Sequence, residues 1–349
     1  MFESLGFEDL TAPQVVVWFA LILGVGFGIL AERTRFCLRR GLVGEDRRAA
    51  LGVWLTALAF ALLGTQAAVA MDWISFGDHR FLASNLPVAA IVIGGALFGA
   101  GMVLTRGCVS RLTVLTGSGN LRALTVLAIF AVVAHATLKG ILAPIRTTLA
   151  EVTLPLGETT SLAALPGGAA LWTALLAAAA LAYAARSGNR WQALIGGALI
   201  GLLVPLGWVG TGFILYDDFD PIAMESLAFT STWSDTLFWT VASTSIPAGF
   251  GVGLVGGVLA GAFVSSLAAG RFQWQSFSSP SETGRYLAGA SLMGVGGVLA
   301  GGCTVGAGLS GVPTLSIAAL LALAAIVAGA LLTNAVLASA PRTALHPAE

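Results

Sequence analysis

Two cysteines in this chain follow a glycine at the same position of an internal repeat. GGALFGAGMVLTRGCVSR runs from Gly94 to Arg111, and GASLMGVGGVLAGGCTVG runs from Gly289 to Gly306. A shift of 195 positions aligns eight identical residues in fifteen and places Cys108 on Cys303. A neutral thiol is a weak S–H donor with a soft sulfur, which suits noncovalent contact with a polarizable ligand. A free cysteine is commonly a small buried hydrophobe, but two at one register of a repeat favour a functional role.

A third cysteine, Cys37, has no counterpart in the repeat. The three cysteines lie far apart in sequence, without a C-x-x-C pair and without metal-ligand spacing, which argues against a disulfide scaffold and a zinc site. We therefore expect no metal and no cofactor, and no nucleic-acid partner.

Charged residues beside these cysteines have two interpretations. Arg106 and Arg111 flank Cys108 and could gather anions at the mouth of a pathway, but anchoring of the helix ends explains them equally well. His135 lies inside an apolar segment, where an ionisable side chain is a functional candidate. It has no evident carboxylate partner in the sequence, and Lys139 on the same helical face can extend to the membrane surface.

The composition is that of an integral membrane protein. Of the 349 residues, 57% are hydrophobic and only 10% are charged, whereas a soluble domain carries about 25% charged residues. The mean hydropathy is +0.90. Glycine accounts for 45 residues, many of them inside apolar runs, and small residues let helices approach closely in lipid.

A spanning helix needs roughly 20 apolar residues, and this rule predicts nine spans. They are Gln14–Ala31, Ala50–Met71, Leu86–Thr105, Ala123–Leu142, Gly168–Ala185, Gln192–Trp208, Phe238–Ala268, Tyr286–Gly302 and Leu315–Ala340. The seventh is long enough to tilt strongly or to contain a break near Ile246–Pro247. Fourteen arginines fall on one side, and only Arg80, Lys139 and Arg146 fall on the other. The arginine-rich side is therefore predicted to be cytoplasmic, with the N-terminus outside and the C-terminus inside.

The span order predicts a single all-α membrane domain, residues 1–349, with two inverted repeats in a 4+1+4 arrangement. The first repeat covers residues 14–142, the second covers 192–340, and the helix at 168–185 connects them. Because the connector is a single span, the two halves cross the membrane in opposite orientations. Substrate sites in proteins with such repeats lie where the two halves meet.

The segments CVSRLTVLTGSGN and CTVGAGLSGVP follow the two Gly-Cys corners. Because non-helical backbone at membrane depth is tolerated where it lines a cavity, we expect both to dip inward. Leu121 and Ser316 are the positions at which half-helices could begin behind them. Such half-helices would add partial positive charge from their amide ends. The segment Val209–Asp235 is acidic and aromatic but lacks calcium-loop spacing, so we expect a solvated outer loop.

Four motifs together resemble the YeeE/YedE family of bacterial inner-membrane proteins. They are ERTRFC, LTRGCVSRLTVLTGSGN, VGTGFILYDDFDP and AGGCTVGAGLSG. The resemblance extends from about Val15 to about Ala330.

This resemblance implies a nine-span, hourglass-like protein that takes up thiosulfate and passes the anion along Cys37, Cys108 and Cys303. It also implies a small cytoplasmic sulfur-carrier protein of the TusA type as a partner. Gly107 and Gly302, with Arg106, Arg111 and His135, are supporting candidates. Conduction requires binding that is weak enough for release, and buried neutral thiols meet that requirement better than a permanent cation.

Other functions stay open on the sequence alone. A permease for sulfite, sulfide or selenite is one alternative. A membrane thiol oxidoreductase or sulfurtransferase needs a thiolate and a resolving thiol, and the sequence contains no vicinal pair, so a protein that is not an enzyme is favoured. No ATP-binding motif is present, which leaves channel-like and ion-coupled passage open.

Overall fold

The fold was obtained as a computed structural model that describes residues 10–77, 79–217 and 219–339. The chain termini and the last position of the second predicted repeat lie outside these residues. The helices are α1 (Ala12–Thr34), α2 (Leu38–Val43), α3 (Arg47–Ala70), α4 (Val88–Leu104), α5 (Val109–Gly117), α6 (Leu121–Lys139), α7 (Ala143–Ala150), α8 (Gly168–Ala185), α9 (Trp191–Val209), α10 (Thr230–Ala242), α11 (Phe250–Ala268), α12 (Pro280–Leu299) and α13 (Ile317–Ser339).

Nine helical stretches within the described ranges are long and apolar enough to cross a membrane. They contain α1, α3, α4, α6, α8, α9, α11, α12 and α13, in agreement with the predicted count. The protein is therefore an all-α polytopic membrane protein. The two strands that the structure does contain are short, β1 (Asn85–Leu86) and β2 (Leu154–Pro155), and they pair antiparallel.

The predicted seventh span is divided. The segment Phe238–Ala268 is interrupted between α10 and α11, and only α11, with 19 residues, is long enough to span. Pro247 lies in the interruption, where its missing N–H and the restriction it places on Ile246 disfavour a continuous helix.

Local sequence signals account for several helix starts. Thr11 precedes α1 in a capping box with Gln14, and the side chain of Asn120 accepts a hydrogen bond from the Ala123 amide at 3.0 Å before α6. Before α12, Ser279 accepts from the Glu282 amide, and Pro280 takes the first helical position. Such caps satisfy amides that have no partner within the helix.

The spanning helices pack in pairs that join the two halves of the chain. α1 packs mainly on α11, α3 on α9, α4 on α13 and on α12, and α6 on α12. Where α4 crosses α12, a Cβ atom on Gly296 would lie 2.6 Å from the Gly94 carbonyl oxygen. A Cβ atom on Gly289 would lie 2.9 Å from the Gly101 carbonyl oxygen. The repeated glycines therefore allow the two copies of the repeat to cross, antiparallel, in direct backbone contact.

Candidate substrate pathway

The three cysteines share one local structure. Each is an extended residue at the start of a short helical segment, and the residue two places earlier has a positive φ angle. These earlier residues are Arg35 (φ 53°), Arg106 (φ 59°) and Gly301 (φ 74°). The helical segments are α2 after Cys37, α5 after Cys108, and a π-helical segment, Thr304–Gly311, after Cys303. The first amides of a helix lack intrahelical partners and carry partial positive charge, so each thiol lies at a position that favours anions.

The half-helices begin earlier than the sequence predicts. The full-length helix α6 begins at Leu121, and the full-length helix α13 begins at Ile317, one residue after Ser316. The half-helices are α5 and Thr304–Gly311, which follow the cysteines directly. Within α5, the Thr113 hydroxyl donates to the Val109 carbonyl at 2.9 Å.

All three cysteines are free thiols and are buried within the protein. The exposed fraction is 5% for Cys37, 1% for Cys108 and 0% for Cys303, so none of them faces lipid. The helical segments that follow Cys108 and Cys303 are also largely buried. The Gly/Ser/Thr-rich segments therefore enter the protein interior, as expected from the sequence.

Folding brings the thiols together from distant parts of the chain. The Cys108 thiol interacts with the Cys37 thiol and with the Thr304 hydroxyl, and its Sγ lies 3.2 Å from the Ser110 Oγ. The Cys303 Sγ accepts a hydrogen bond from the Gly306 amide at 3.3 Å. Because Thr304 follows Cys303 directly, the two repeat corners meet in the interior, and Cys37 joins them.

A cavity of about 490 Å³ leads toward Cys303 from one end of the molecule. We call it the Arg80 cavity, and its charged or titratable lining residues are His79, Arg80 and Glu225. Gly306 and Ser310, from the helical segment behind Cys303, also line it. Along the chain, two buried residues, Thr304 and Val305, separate the cavity-lining Gly306 from Cys303.

A second cavity of about 310 Å³ lies on the other side of the thiols. We call it the Arg111 cavity, and Arg35, Arg111 and Arg271 line it together with Glu32. The Arg271 guanidinium donates to the Glu32 carboxylate at 2.9 and 2.6 Å, and the Ser265 hydroxyl donates to the same carboxylate at 2.9 Å. Arg35 lies in the turn before Cys37, and Arg111 lies in the first turn of α5, directly after Cys108.

Chain order places the two cavities at opposite ends of the spanning helices. The Arg80 cavity is built from the connections that follow α3 and α9 and from the segment after Cys303. The Arg111 cavity is built from the ends of α1, α5 and α11 and the connections after them. Because successive spans cross in alternate directions, these two sets of connections lie on opposite faces. The thiol cluster lies between them.

The supporting candidates are two glycines, two arginines and one histidine. Gly107 and Gly302 are buried beside their cysteines, and a Cβ atom on Gly302 would lie 2.7 Å from the Ala307 amide nitrogen. Arg111 lines a cavity, whereas Arg106 is exposed and lines neither of the two cavities described above.

His135 lies away from the thiols, on α6 against α10. Its Nδ1 lies 3.0 Å from the Ser234 Oγ, and its ring stacks on Phe238 with a centroid distance of 4.8 Å. Asp235 on α10 interacts electrostatically with both His135 and Lys139. Asp235 is distant in sequence, so no local pattern indicates this contact.

Sequence reasoning missed the acidic and basic residues of the Arg80 cavity. The expectation of a solvated outer loop over Val209–Asp235 is wrong for its second half, because Leu227 and Phe229 are fully buried and Glu225 faces the cavity. The apolar run Leu227–Phe229 within this polar segment was the available signal for burial, and it does not mark Glu225.

Burial changes the proton affinity of two groups in the Arg80 cavity. The pKa of Glu225 is raised to about 7 by burial, with a further rise from the Asp235 charge and an opposing effect from Arg80. The pKa of His79 is lowered to about 4 by burial and by the adjacent Arg80 charge. Near neutral pH, Glu225 therefore changes its charge while His79 stays neutral.

Comparison with known proteins identifies a family and similar transporters. A family model described as sulphur transport matches residues 33–332. The chain is 27% identical over 324 residues to the thiosulfate transporter TsuA of Spirochaeta thermophila, covering 86% of this chain and 93% of that protein. It is 28% identical over 318 residues to the thiosulfate transporter TsuA of Escherichia coli, covering 83% of this chain and 85% of that protein. The chain belongs to the sulphur-transport family, as its resemblance to the YeeE/YedE proteins predicts.

Proposed function

We propose that this protein is a permease that carries thiosulfate from the periplasm to the cytoplasm. The observation that carries the proposal is the cluster of three buried free thiols between two cavities on opposite faces. Two relatives that align over most of the chain are named thiosulfate transporters, which supports thiosulfate as the substrate.

The charge distribution along the pathway suits passage of a divalent anion. Arg80 supplies positive charge in one cavity, and Arg35 and Arg111 supply it in the other. Between them the anion meets thiols and helix amides, which donate hydrogen bonds without a permanent charge. Weak donors in the centre satisfy the need for binding that still permits release. In this proposal the anion passes from Cys303 to Cys108 and Cys37.

We also propose that residues 14–142 and 192–340 form inverted repeats joined by the helix at 168–185. The contacts of equivalent glycines support this arrangement. A Cβ atom on Gly99 of α4 would meet the backbone of α13, and one on the equivalent Gly294 of α12 would meet the backbone of α6. Because α4 corresponds to α12 and α13 corresponds to α6 in the proposed repeats, the contact of α4 with α13 is equivalent to the contact of α12 with α6.

The proposed location is the bacterial inner membrane, with the Arg80 cavity open to the periplasm and the Arg111 cavity open to the cytoplasm. The excess of arginine on the second face supports this orientation. A TusA-type sulfur carrier is the proposed partner at the cytoplasmic face, on the basis of the family resemblance.

One observation bears on the enzyme alternative. The sequence lacks a vicinal cysteine pair, yet folding makes Cys37 and Cys108 neighbours. A thiol pair is one requirement of a membrane oxidoreductase, so the test of transport must also identify the product. Recovery of chemically altered label with purified protein alone would favour that class.

The proposal is tested by uptake of labelled thiosulfate into proteoliposomes. Cys108→Ala and Cys303→Ala should each reduce uptake strongly, because each removes a donor from the proposed route between the two cavities. Serine at the same positions keeps a donor but loses the soft sulfur, and we expect it to restore uptake only in part. Monodisperse purification of each variant controls for folding. Wild-type uptake by both alanine variants would refute the thiol pathway, and sulfite, sulfide and selenite as competitors test the other permeases.

A further inference from the structure

The Arg80 cavity contains a carboxylate on the proposed route of an anion. Glu225 lines this cavity together with Arg80 and His79, and Gly306 of the Cys303 segment lines it as well. An ionised carboxylate repels a dianion, and the repulsion is strong where water is partly excluded. The charge state of Glu225 must therefore change the affinity of the cavity for thiosulfate.

The backbone of Glu225 is held firmly in place. The Glu225 amide donates to the Thr211 Oγ1 at 2.9 Å, and that hydroxyl donates to the Glu225 carbonyl at 2.8 Å. The next hydroxyl, of Ser226, donates to the Val204 carbonyl of α9 at 2.8 Å. The carboxyl group therefore cannot leave the cavity by a simple shift of its loop.

The charged groups around Glu225 come from three parts of the chain. Arg80, from the connection before α4, lowers the pKa of Glu225, and Asp235 of α10 raises it. Asp235 in turn interacts with His135 and Lys139 of α6. Arg80 and Glu225 interact electrostatically but form none of the three ion pairs found between described residues. The Arg80 guanidinium is therefore available to pair with either the Glu225 carboxylate or an incoming anion.

We propose that Glu225 is a proton-dependent gate for entrance of the anion into the Arg80 cavity. With a protonated Glu225, the Arg80 guanidinium binds the thiosulfate dianion. With an ionised Glu225, the carboxylate repels the dianion and competes with it for Arg80. This gate rests on the proposed function and adds a regulated step to it.

The first test is the pH dependence of uptake into proteoliposomes with a fixed internal pH and the membrane potential clamped at zero. Uptake by the parent protein should fall several-fold as the external pH rises through about 7, where Glu225 ionises. Glu225→Gln should remove this dependence and keep uptake at the level that the parent reaches in acid. Asp220→Asn changes an exposed carboxylate of the same loop and should leave the profile unchanged. An unchanged profile in Glu225→Gln would overturn the gate.

A second variant tests whether Glu225 acts through its charge or only through its structural role in the loop. Asp235→Asn removes a charge that raises the pKa of Glu225, so the midpoint of the uptake profile should move to lower pH while the transition remains. A midpoint that moves upward, or does not move, would contradict the proposed coupling.

A binding measurement distinguishes failure of the gate from failure of the permease. The carboxyl band of Glu225 is followed by infrared titration in nanodiscs, as the difference between the parent and Glu225→Gln. Thiosulfate should raise the titration midpoint of Glu225, because an anion that prefers the protonated form also favours protonation. An unchanged midpoint would overturn the gate, whether or not the protein transports. A raised midpoint without uptake would instead leave the gate supported and refute the permease.

Discussion

Each of the three thiols owes its position to a residue two places earlier in the chain. A positive φ angle at that residue ends the preceding helix, and the cysteine then begins a short helical segment. Non-glycine residues adopt this conformation rarely, so its use at Arg35 and Arg106 suggests that the turns are held by their surroundings. The same local structure explains how Cys37, which the repeat does not include, joins Cys108.

Arg111 provides a matched comparison with Arg106, because both flank Cys108 but only Arg111 lines a cavity. Arg111→Gln should reduce thiosulfate uptake by about ten- to a hundredfold, since a charge-assisted hydrogen bond contributes about 1.5 to 3 kcal/mol. Arg106→Gln should change uptake by less than about twofold, as expected for an exposed side chain. Initial uptake rates, normalised to reconstituted protein, measure both. Equal losses in the two variants would contradict a role for Arg111 in the pathway.

Part of the candidate site could be predicted from the sequence at this scale. The repeat indicates Cys108 and Cys303, and the family motifs add Cys37. Arg80 was visible only as an isolated charge on the outer side, and Glu225 only as one acid in a polar loop. Their meeting in one cavity depends on tertiary contacts between separate connections, which no local pattern contains.

At the scale of elements, glycine sets how closely the helices approach. The α1–α11 crossing offers a direct test because two adjacent glycines of α11 face different surroundings. A Cβ atom on Gly257 would lie 2.9 Å from the Val25 amide nitrogen of α1, whereas one on Gly256 would meet nothing within 4 Å.

Gly257→Ala should therefore destabilise the protein by about 1 to 3 kcal/mol, the usual cost of overpacking. Gly256→Ala should be neutral or stabilising by up to about 1 kcal/mol, because alanine has the higher helix propensity. The midpoint of thermal unfolding in detergent measures both effects. A Gly257→Ala variant as stable as Gly256→Ala would contradict close packing of α1 against α11 at Gly257.

An ion pair between the buried Glu32 and the exposed Arg271 fastens the end of α1 to the residues that follow α11. Glu32 is only 8% exposed and accepts hydrogen bonds from Arg271 and Ser265. Arg271→Ala should lower the free energy of unfolding by about 1 to 3 kcal/mol, because the remaining carboxylate stays buried and loses a charged partner. Glu32→Gln with Arg271→Ala should recover part of the loss, since the amide carries no charge. Thermal unfolding of the single and double variants checks this, and a double variant no more stable than Arg271→Ala would contradict it.

The sequence predicts elements well where length and apolarity decide them, and less well where irregular segments begin. All nine spans are present, but the residues before Pro247 form the separate helix α10 rather than part of the seventh span. The half-helices were expected after the polar segments, at Leu121 and Ser316. They begin instead at the cysteines, because a residue with a positive φ angle two places earlier ends the preceding helix and the chain turns helical again at once.

At the scale of the whole molecule, the pathway has a direction only if the two cavities open to different compartments. Gly157 lies in the connection between α6 and α8, on the face of the Arg80 cavity, and Gly188 lies between α8 and α9, on the opposite face. A Cβ atom at either glycine would meet nothing within 4 Å, so a short peptide tag inserted at either site should preserve the fold.

The predicted orientation places a tag at Gly157 in the periplasm and a tag at Gly188 in the cytoplasm, because arginine-rich connections stay on the cytoplasmic side. An antibody should label the first tag once the outer membrane is opened, and the second only after the inner membrane is permeabilised. Retained thiosulfate uptake confirms that each tagged protein is folded. Labelling in the reverse order would invert the pathway and place Glu225 and Arg80 at the exit. Labelling of both tags from the same side would contradict the alternate crossing on which the two-cavity pathway depends.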